Sequence, residues 1–256
     1  MAITGKLTLR FSAAELKQIA QKKFRQQAPW FMAEGEHLIN ELSRAAVGNP
    51  ALQHSLLLVD ENYTGDLPSG FTVQTIKSSV MARISDTKAP QGIIACVPKS
   101  ALPTPPKSDA PGKVVPAVYL YQVQDPGNLG TILRTLAWFG QYQCLLSPDS
   151  VDPFNGKCVR ASMGAIYHVP VENQVEPASL PERFSRIACL DMRGDAMSSA
   201  DFRRADCLVF GNEARGLPAW LADNQHCQRF TIPGTGNIES LNLASVLNMA
   251  IYERSR

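Results

Sequence analysis

The stretch VPKSALPTPPKSDAPGKVVP, residues 97–116, carries six prolines and few large apolar side chains. Proline lacks a backbone N–H and locks φ, so a run this dense joins neither a helix interior nor a central strand. It reads as a linker, and it turns a chain of 256 residues into two domains with separate cores. The cut places a first domain at 1–98, a proline-rich linker at 99–113 and a second domain at 114–256. Charge changes sign across it: residues 1–115 hold 13 Lys+Arg against 9 Asp+Glu, and 116–256 hold 12 against 14. Residues 1–30 alone hold six basic side chains (Lys6, Arg10, Lys17, Lys22, Lys23 and Arg25) against Glu15. Basic groups beside Phe24 and Trp30 suit a polyanion, although a solvated helix face has the same composition.

In the second domain, apolar strand-like runs alternate with helical patterns. AVYLYQV leads into LGTILRTLAWFG; QCLLS, IYHVPV, RIACLD and DCLVFG follow, and LNLASVLNMAIYER closes as a helix. This alternation predicts an α/β fold with a mostly parallel sheet covered on both faces, whose ligands bind at the carboxyl ends of strands. The first domain predicts a small α/β unit. SAAELKQIAQKKFRQQ and EGEHLINELSRAA read as helices, SLLLVD and GIIACVP as buried strands, and SVMARISD as a short helix.

Several functions are excluded early. No apolar run approaches the ~20 residues of a membrane span, and the first 25 residues lack the apolar core of a signal peptide. The six cysteines (96, 144, 158, 189, 207 and 227) form no CxxC and no paired His spacing, so they read as free thiols in a reducing cytoplasm rather than disulfides or metal ligands. There is no GxxxxGK[ST], no GxSxG, and no GxGxxG, since GTGNIES lacks its third glycine.

Three loops carry the polar side chains a site needs. In QDPGNLGTILRT the turn Asp125-Pro126-Gly127-Asn128 precedes a helix, with Asn128 placed to cap it. Leu129, Ile132, Leu133, Leu136 and Ala137 form the inward stripe, leaving Thr131, Arg134, Thr135 and Trp138 on another face. In CLVFGNEARGLP a buried strand breaks into Gly211 and Gly216 flanking Glu213, a pattern that permits close backbone approach to a ligand. In FTIPGTGNIESLNLASVLNMAIYE a strand ends at Pro233, Ser240 stands as a helix cap, and Asn242, Ser245, Asn248 and Tyr252 recur on one face. Taken singly, each loop equally fits an ordinary connection or a solvent stripe.

Taken in order, the three resemble the SpoU-like (TrmH-type) RNA ribose 2′-O-methyltransferases of the SPOUT superfamily. The resemblance rests on Asn128-x-Gly130-x-x-x-Arg134, then Gly211-x-Glu213-x-x-Gly216, then Ile232-Pro233 with Ser240-Leu241-Asn242, and DPFNGKCVRASMGAIYHVPV (152–171) supports it. It spans essentially all of 114–256. More loosely, KKFRQQAPWFMAEGEHLINEL and ISDTKAPQGIIACVP resemble the ribosomal-protein-like RNA-binding domain often attached to the family. Two departures stand out: Gly234 replaces a larger apolar residue, and ASVLN (244–248) is bulkier than the usual small-residue run.

The resemblance implies a trefoil knot in the methyltransferase domain, a homodimer, and S-adenosyl-L-methionine held by Gly211, Glu213, Gly216, Ile232 and Leu241, with Glu213 shaping its loop or a dimer edge. It implies catalytic roles for Arg134, Asn128, Ser240 and Asn242, with Arg134 as general base or phosphate clamp, and RNA contacts at Lys22, Lys23, Arg25 and Arg160. No metal and no membrane enter. The separate first domain favours ribosomal RNA, large-subunit RNA in particular, over transfer RNA. A transfer-RNA ribose methyltransferase, a base methylase of the superfamily and a non-catalytic RNA-binding or ribosome-assembly factor are the alternatives. Loss of Asn128 or Arg134 would have favoured the non-catalytic reading, and both are present.

Overall fold

The computed structural model describes residues 10–105, 115–218, 221 and 226–256. Lys6 and the middle of the proline-rich stretch lie outside them. Two compact units emerge: one runs to Leu102 and takes in Phe154–Tyr167, and the other comprises Pro103–Pro153 with His168–Arg256.

In the first unit, helix α1 (Ala13–Ala20) opens with a capping box. Ser12 Oγ accepts from the Glu15 N–H at 3.3 Å, and Glu15 Oε2 accepts from the Ser12 N–H at 2.7 Å. The single helix expected over residues 12–27 breaks at Gln21 and restarts as α2 (Lys22–Arg25). Leu16 and Ile19 face the core, and an unbroken helix would carry Lys23 onto the same stripe two turns later. Strands β1 (Trp30–Glu34), β2 (Leu56–Asp60), β3 (Thr72–Ile76) and β4 (Ile93–Pro98) form a sheet of order β1-β4-β2-β3, with α3 (Glu36–Gly48) and α4 (Ser78–Ile84) between them in sequence. β4 runs antiparallel to both neighbours, and β3 runs parallel to β2. β1 and β3 escape the sequence reading for different reasons. β1 is five residues of mild alternation, and β3 is an edge strand whose Thr72, Val73 and Thr75 stay exposed.

The second unit contains β5 (Ala117–Leu120), α5 (Pro126–Phe139), β6 (Gln143–Leu146), β7 (Val171–Glu172), α7 (Leu180–Arg183), β8 (Ile187–Ala196), α8 (Ala200–Arg203), β9 (Cys207–Phe210), β10 (Cys227–Thr231) and the final helix α9 (Leu243–Ser255). Its six strands are parallel throughout, in the order β10-β8-β9-β5-β6-β7. Every residue of β5, β6 and β9 is buried, as a sheet covered on both faces requires. Helix α5 buries Leu129, Ile132, Leu133 and Leu136, and ends at Gly140 with φ +67°.

Helix α6 (Gly156–Ala161) falls in the first unit although it lies between β6 and β7 in sequence. The Phe154 ring sits 5.0 Å from that of Phe31, and the Tyr167 hydroxyl donates to the Leu38 carbonyl at 3.3 Å. IYHVPV, expected as a strand, is a 3-10 turn at Ala165–Tyr167 followed by the two-residue β7. Consecutive apolar residues do not distinguish a buried turn from a strand.

Candidate active site

The chain leaves β5 at Leu120 and turns through residues 121–125 into α5. The cap of α5 is Asp125, one turn earlier than expected: its Oδ1 accepts from the Asn128 N–H at 2.7 Å, and Pro126 takes the first helical position, where no N–H is needed. This leaves the Asn128 side chain free of capping. Its Nδ2 donates to Glu213 Oε1 at 3.3 Å, and its Oδ1 accepts from Asn242 Nδ2 at 3.0 Å. The cap of α9 is likewise Asn242 rather than Ser240, with Oδ1 accepting from the Ser245 N–H at 3.2 Å. Glu213 Oε2 accepts from the Gln124 N–H at 3.4 Å. One directed relay, Asn242 to Asn128 to Glu213, thus joins side chains from all three loops. Because the Asn242 oxygen is committed to a helix N–H, its amide faces Asn128, and the Asn128 amide in turn faces the carboxylate.

The loop after β9 closes on itself. Asn212 and Gly216 exchange backbone hydrogen bonds at 3.0 and 2.8 Å. A Cβ on Gly211 would lie 2.4 Å from the Gly216 carbonyl carbon, so only glycine fits there. Asn212, 6% exposed, accepts at Oδ1 from the Ala214 and Arg215 N–H groups, both at 3.0 Å, and donates from Nδ2 to the Gln122 carbonyl at 2.8 Å. Gln122 holds a left-handed φ of +50°, with its N–H on the buried Ser147 Oγ at 2.7 Å and its side chain on Arg215. Asn212, Gln122, Gln124 and Ser147 take part in holding these loops together, and sequence reasoning did not single them out. Asn212 had a readable signal, a turn-closing residue type between Gly211 and Glu213. A left-handed glutamine has none.

Between these loops lies an open cleft of about 440 Å³, lined by Gln124, Asp125, Asn128, Asn212, Glu213, Ala214 and the run Ser240–Leu243. It brings together Asn128, Glu213, Ser240, Leu241 and Asn242 of the expected residues, and leaves Gly211, Gly216, Ile232 and Arg134 outside its lining. Arg134 is exposed, and among the described residues no hydrogen bond or ion pair holds it. Six residues of helix separate it from Asn128, so the two side chains leave α5 about 120° apart. The lining has two carboxylates, several amides, an exposed Leu241 and no Lys or Arg. Such a lining offers hydrogen-bond donors and acceptors, a carboxylate edge and one apolar surface to a polar ligand. The volume lies in the range of cofactor sites.

The expected RNA contacts all lie in the first unit and differ among themselves. Lys23 is exposed, its Nζ 5.8 Å from the Phe24 ring centre. Arg25 is 7% exposed and borders a small cavity with Glu34 and Asp86. The Lys22 side chain lies outside the described residues. Arg160 faces two carboxylates, Glu34 at 3.9 Å and Asp86 at 4.0 Å. Among the described residues no group of three His, Cys, Asp or Glu is placed to hold a metal, and no helix is long and apolar enough to cross a membrane. All six cysteines are free.

The SpoU rRNA Methylase family matches residues 116–252, and the MRM3-like substrate binding domain matches residues 14–95. The 23S rRNA (guanosine(2553)-2′-O)-methyltransferase RlmP of Bacillus subtilis is 29% identical over 245 residues, covering 92% of either chain. The mouse mitochondrial rRNA methyltransferase 3 is 26% identical, over 93% of this chain and 70% of its own. Among solved structures, a TrmH-family protein of Porphyromonas gingivalis is 28% identical with a TM-score of 0.75, over 96% of this chain and 98% of that one. An AdoMet-bound rRNA methyltransferase of Sinorhizobium meliloti, 24% identical, shares the fold with a TM-score of 0.76 over 99% of this chain and 95% of that one.

Proposed function

The chain belongs to the SpoU rRNA methylase family, and from that premise we propose that it transfers a methyl group from S-adenosylmethionine to a ribose 2′-hydroxyl of ribosomal RNA, with the large subunit favoured. The observation that carries this reading is the Asn242–Asn128–Glu213 relay, which gathers the three family motifs around one cleft. The 23S specificity in the name of the Bacillus subtilis relative supports the large subunit.

The residues fit the cofactor. The Glu213 and Asp125 carboxylates favour its positive charge, Leu241 offers apolar surface, and Gly211 lets the closed loop present backbone rather than side chain. When bound, S-adenosylmethionine supplies an electrophilic methyl on a sulfonium. The chain itself must position the nucleophile and relieve it of a proton. Ser240 presents its hydroxyl and Asn242 its second amide N–H at the substrate end, and the relay keeps Asn128 from rotating. A guanidinium stays charged at neutral pH and makes a poor base, so Arg134 serves as a bidentate clamp on the phosphate beside the target ribose, and the 2′-hydroxyl proton leaves to a phosphate oxygen or water.

The first unit holds the RNA, as its match to a substrate binding domain supports. The enzyme acts as a homodimer in the cytoplasm. Trp138, 86% exposed on α5, and the exposed Met249 and Tyr252 on α9 give the two packed helices an apolar outer face suited to a second copy. The passes around β8, β9 and β10 form a trefoil knot. The strand order agrees with this reading, since β10 lies beyond β8 and the connection from β9 is therefore a crossover rather than a step to a neighbouring strand.

The test is transfer of labelled methyl to unmodified ribosomal RNA and, separately, transfer RNA, with Arg134→Ala as control. Label on ribosomal RNA, resistant to alkali at one ribose and absent in the variant, is the expected result. Label on transfer RNA alone would overturn the substrate class, and cofactor binding without label on naked RNA would point to an assembly intermediate. Neither label nor cofactor binding would favour a non-catalytic RNA-binding factor.

A further inference from the structure

The loop between α4 and β4, residues 85–92, is pinned at both ends to one short stretch, Glu34–Glu36. At one end the Glu34 carboxylate collects three donors: Ser85 Oγ at 2.5 Å, Thr87 Oγ1 at 2.7 Å and the Asp86 N–H at 3.0 Å. At the other, Gln91 Oε1 accepts from the Glu36 N–H at 3.0 Å. Between the pins, Lys88, Ala89 and Pro90 stand exposed. The Glu34 side chain is only 8% exposed, so its charge needs compensation. One cation near it is Arg160 of α6, which lies within the stretch that matches the methylase family yet packs in the first unit, and Arg25 borders the same small cavity. Its Nη1 is sealed from solvent beside Glu34 and Asp86 and makes no hydrogen bond to either, while the side chain as a whole is 33% exposed.

We infer that Glu34 and Arg160 are positioning residues for RNA binding: they brace the loop 85–92, which presents Lys88 to the RNA backbone, and Arg160 itself makes no RNA contact. The inference rests on the reading of the first unit as the RNA-holding part. It makes RNA affinity depend on a helix encoded sixty residues after β4, while the chemistry in the second unit does not draw on the brace.

The test compares full-length Glu34→Gln, Arg160→Ala, their combination, and Thr87→Val in methyl transfer to unmodified large-subunit ribosomal RNA. Glu34→Gln removes a negative charge, so simple electrostatics would tighten RNA binding. The brace predicts the opposite sign: KM for RNA rises on the order of tenfold, while kcat at saturating RNA and S-adenosylmethionine affinity stay at wild-type values. The combined variant is no worse than Glu34→Gln alone, because both act through one loop. Thr87→Val removes a single donor at nearly constant volume and raises KM about threefold, which keeps the test available if Glu34→Gln folds poorly. An unchanged or lowered KM in Glu34→Gln or Thr87→Val overturns the inference, as do multiplying penalties. A salt slope that falls by about 0.7–0.9 in Arg160→Ala alone would mark a direct phosphate contact and overturn it too. If the wild-type enzyme transfers no methyl at all, the proposed activity fails instead, and RNA affinity of the same variants by fluorescence anisotropy decides the brace.

Discussion

Asn212 offers the sharpest test of how the loop proposed to hold the cofactor is built. It is 6% exposed and makes three hydrogen bonds: two accepted within its own loop, and one donated to the Gln122 carbonyl of the loop before α5. Asn212→Ala removes all three. A net ~1 kcal/mol per bond gives about 3 kcal/mol, but Ala214 and Arg215 are exposed and their N–H groups regain water, which brings the loss to about 2 kcal/mol. The loss is local: it opens the Gly211–Gly216 turn and frees it from Gln122, leaving β9 and its neighbours packed. Cofactor affinity therefore falls by up to about 30-fold, while the melting temperature moves by less than ~4 °C. Asn212→Asp keeps the acceptor for the two N–H groups and loses only the donor to Gln122, so it isolates the tie between the loops. Calorimetric titration with S-adenosylmethionine and a thermal melt read both quantities. Wild-type affinity in Asn212→Ala would refute the argument, because the loop would then hold its shape without the amide. A large drop in melting temperature with unchanged affinity would refute it as well, by making Asn212 a core residue.

Other expectations follow from single contacts. Gly211→Ala forces a Cβ to within 2.4 Å of the Gly216 backbone and should abolish S-adenosylmethionine binding in the same titration. Asp125→Ala uncaps α5 at a cost of about 1 kcal/mol, and a melt should show a drop of about 2–4 °C. Arg134→Ala should bind the cofactor normally and lose RNA turnover, which a labelled-methyl assay separates, since Arg134 lines no part of the cleft. Burial pushes the Cys96 and Cys144 thiols up to about 12, whereas a hydrogen bond with Cys189 lowers that of Cys227. A lower value means more thiolate at a given pH, so mild alkylation at pH 8 followed by mass spectrometry should label Cys227 first and leave Cys96 and Cys144 unlabelled.

What the sequence disclosed and what it withheld follow one physical division. The parallel sheet was legible because strands buried on both faces must be continuously apolar, as Val118-Tyr119-Leu120 and Leu208-Val209-Phe210 are. The inward stripe of α5 was legible from helical spacing. The motif side chains were legible only as residue types, and their partners were not, because a hydrogen bond between Asn128 and Glu213 spans 85 positions and leaves no local pattern. The two cap assignments erred for a related reason. Asp125 and Asn128, or Ser240 and Asn242, are all good caps, and the choice falls to whichever side chain is not claimed by a distant partner or whose amide can serve both. Asn242 does both, capping α9 with its oxygen and orienting Asn128 with its nitrogen.

Local composition fails most where a segment belongs to a unit remote from its sequence neighbours. Residues 154–167 sit beyond the proline-rich linker and resemble the methylase family, so sequence order assigns them to the second domain. Their contacts run to Phe31, Glu34 and Leu38. The same displacement places Arg160, expected as a cation for RNA, 3.9 Å from Glu34 and 4.0 Å from Asp86. A basic residue is a candidate for RNA only after its nearest carboxylates are counted. Lys23 is exposed and beside the Phe24 ring, Arg25 is 7% exposed, and Lys88 is exposed on the pinned loop.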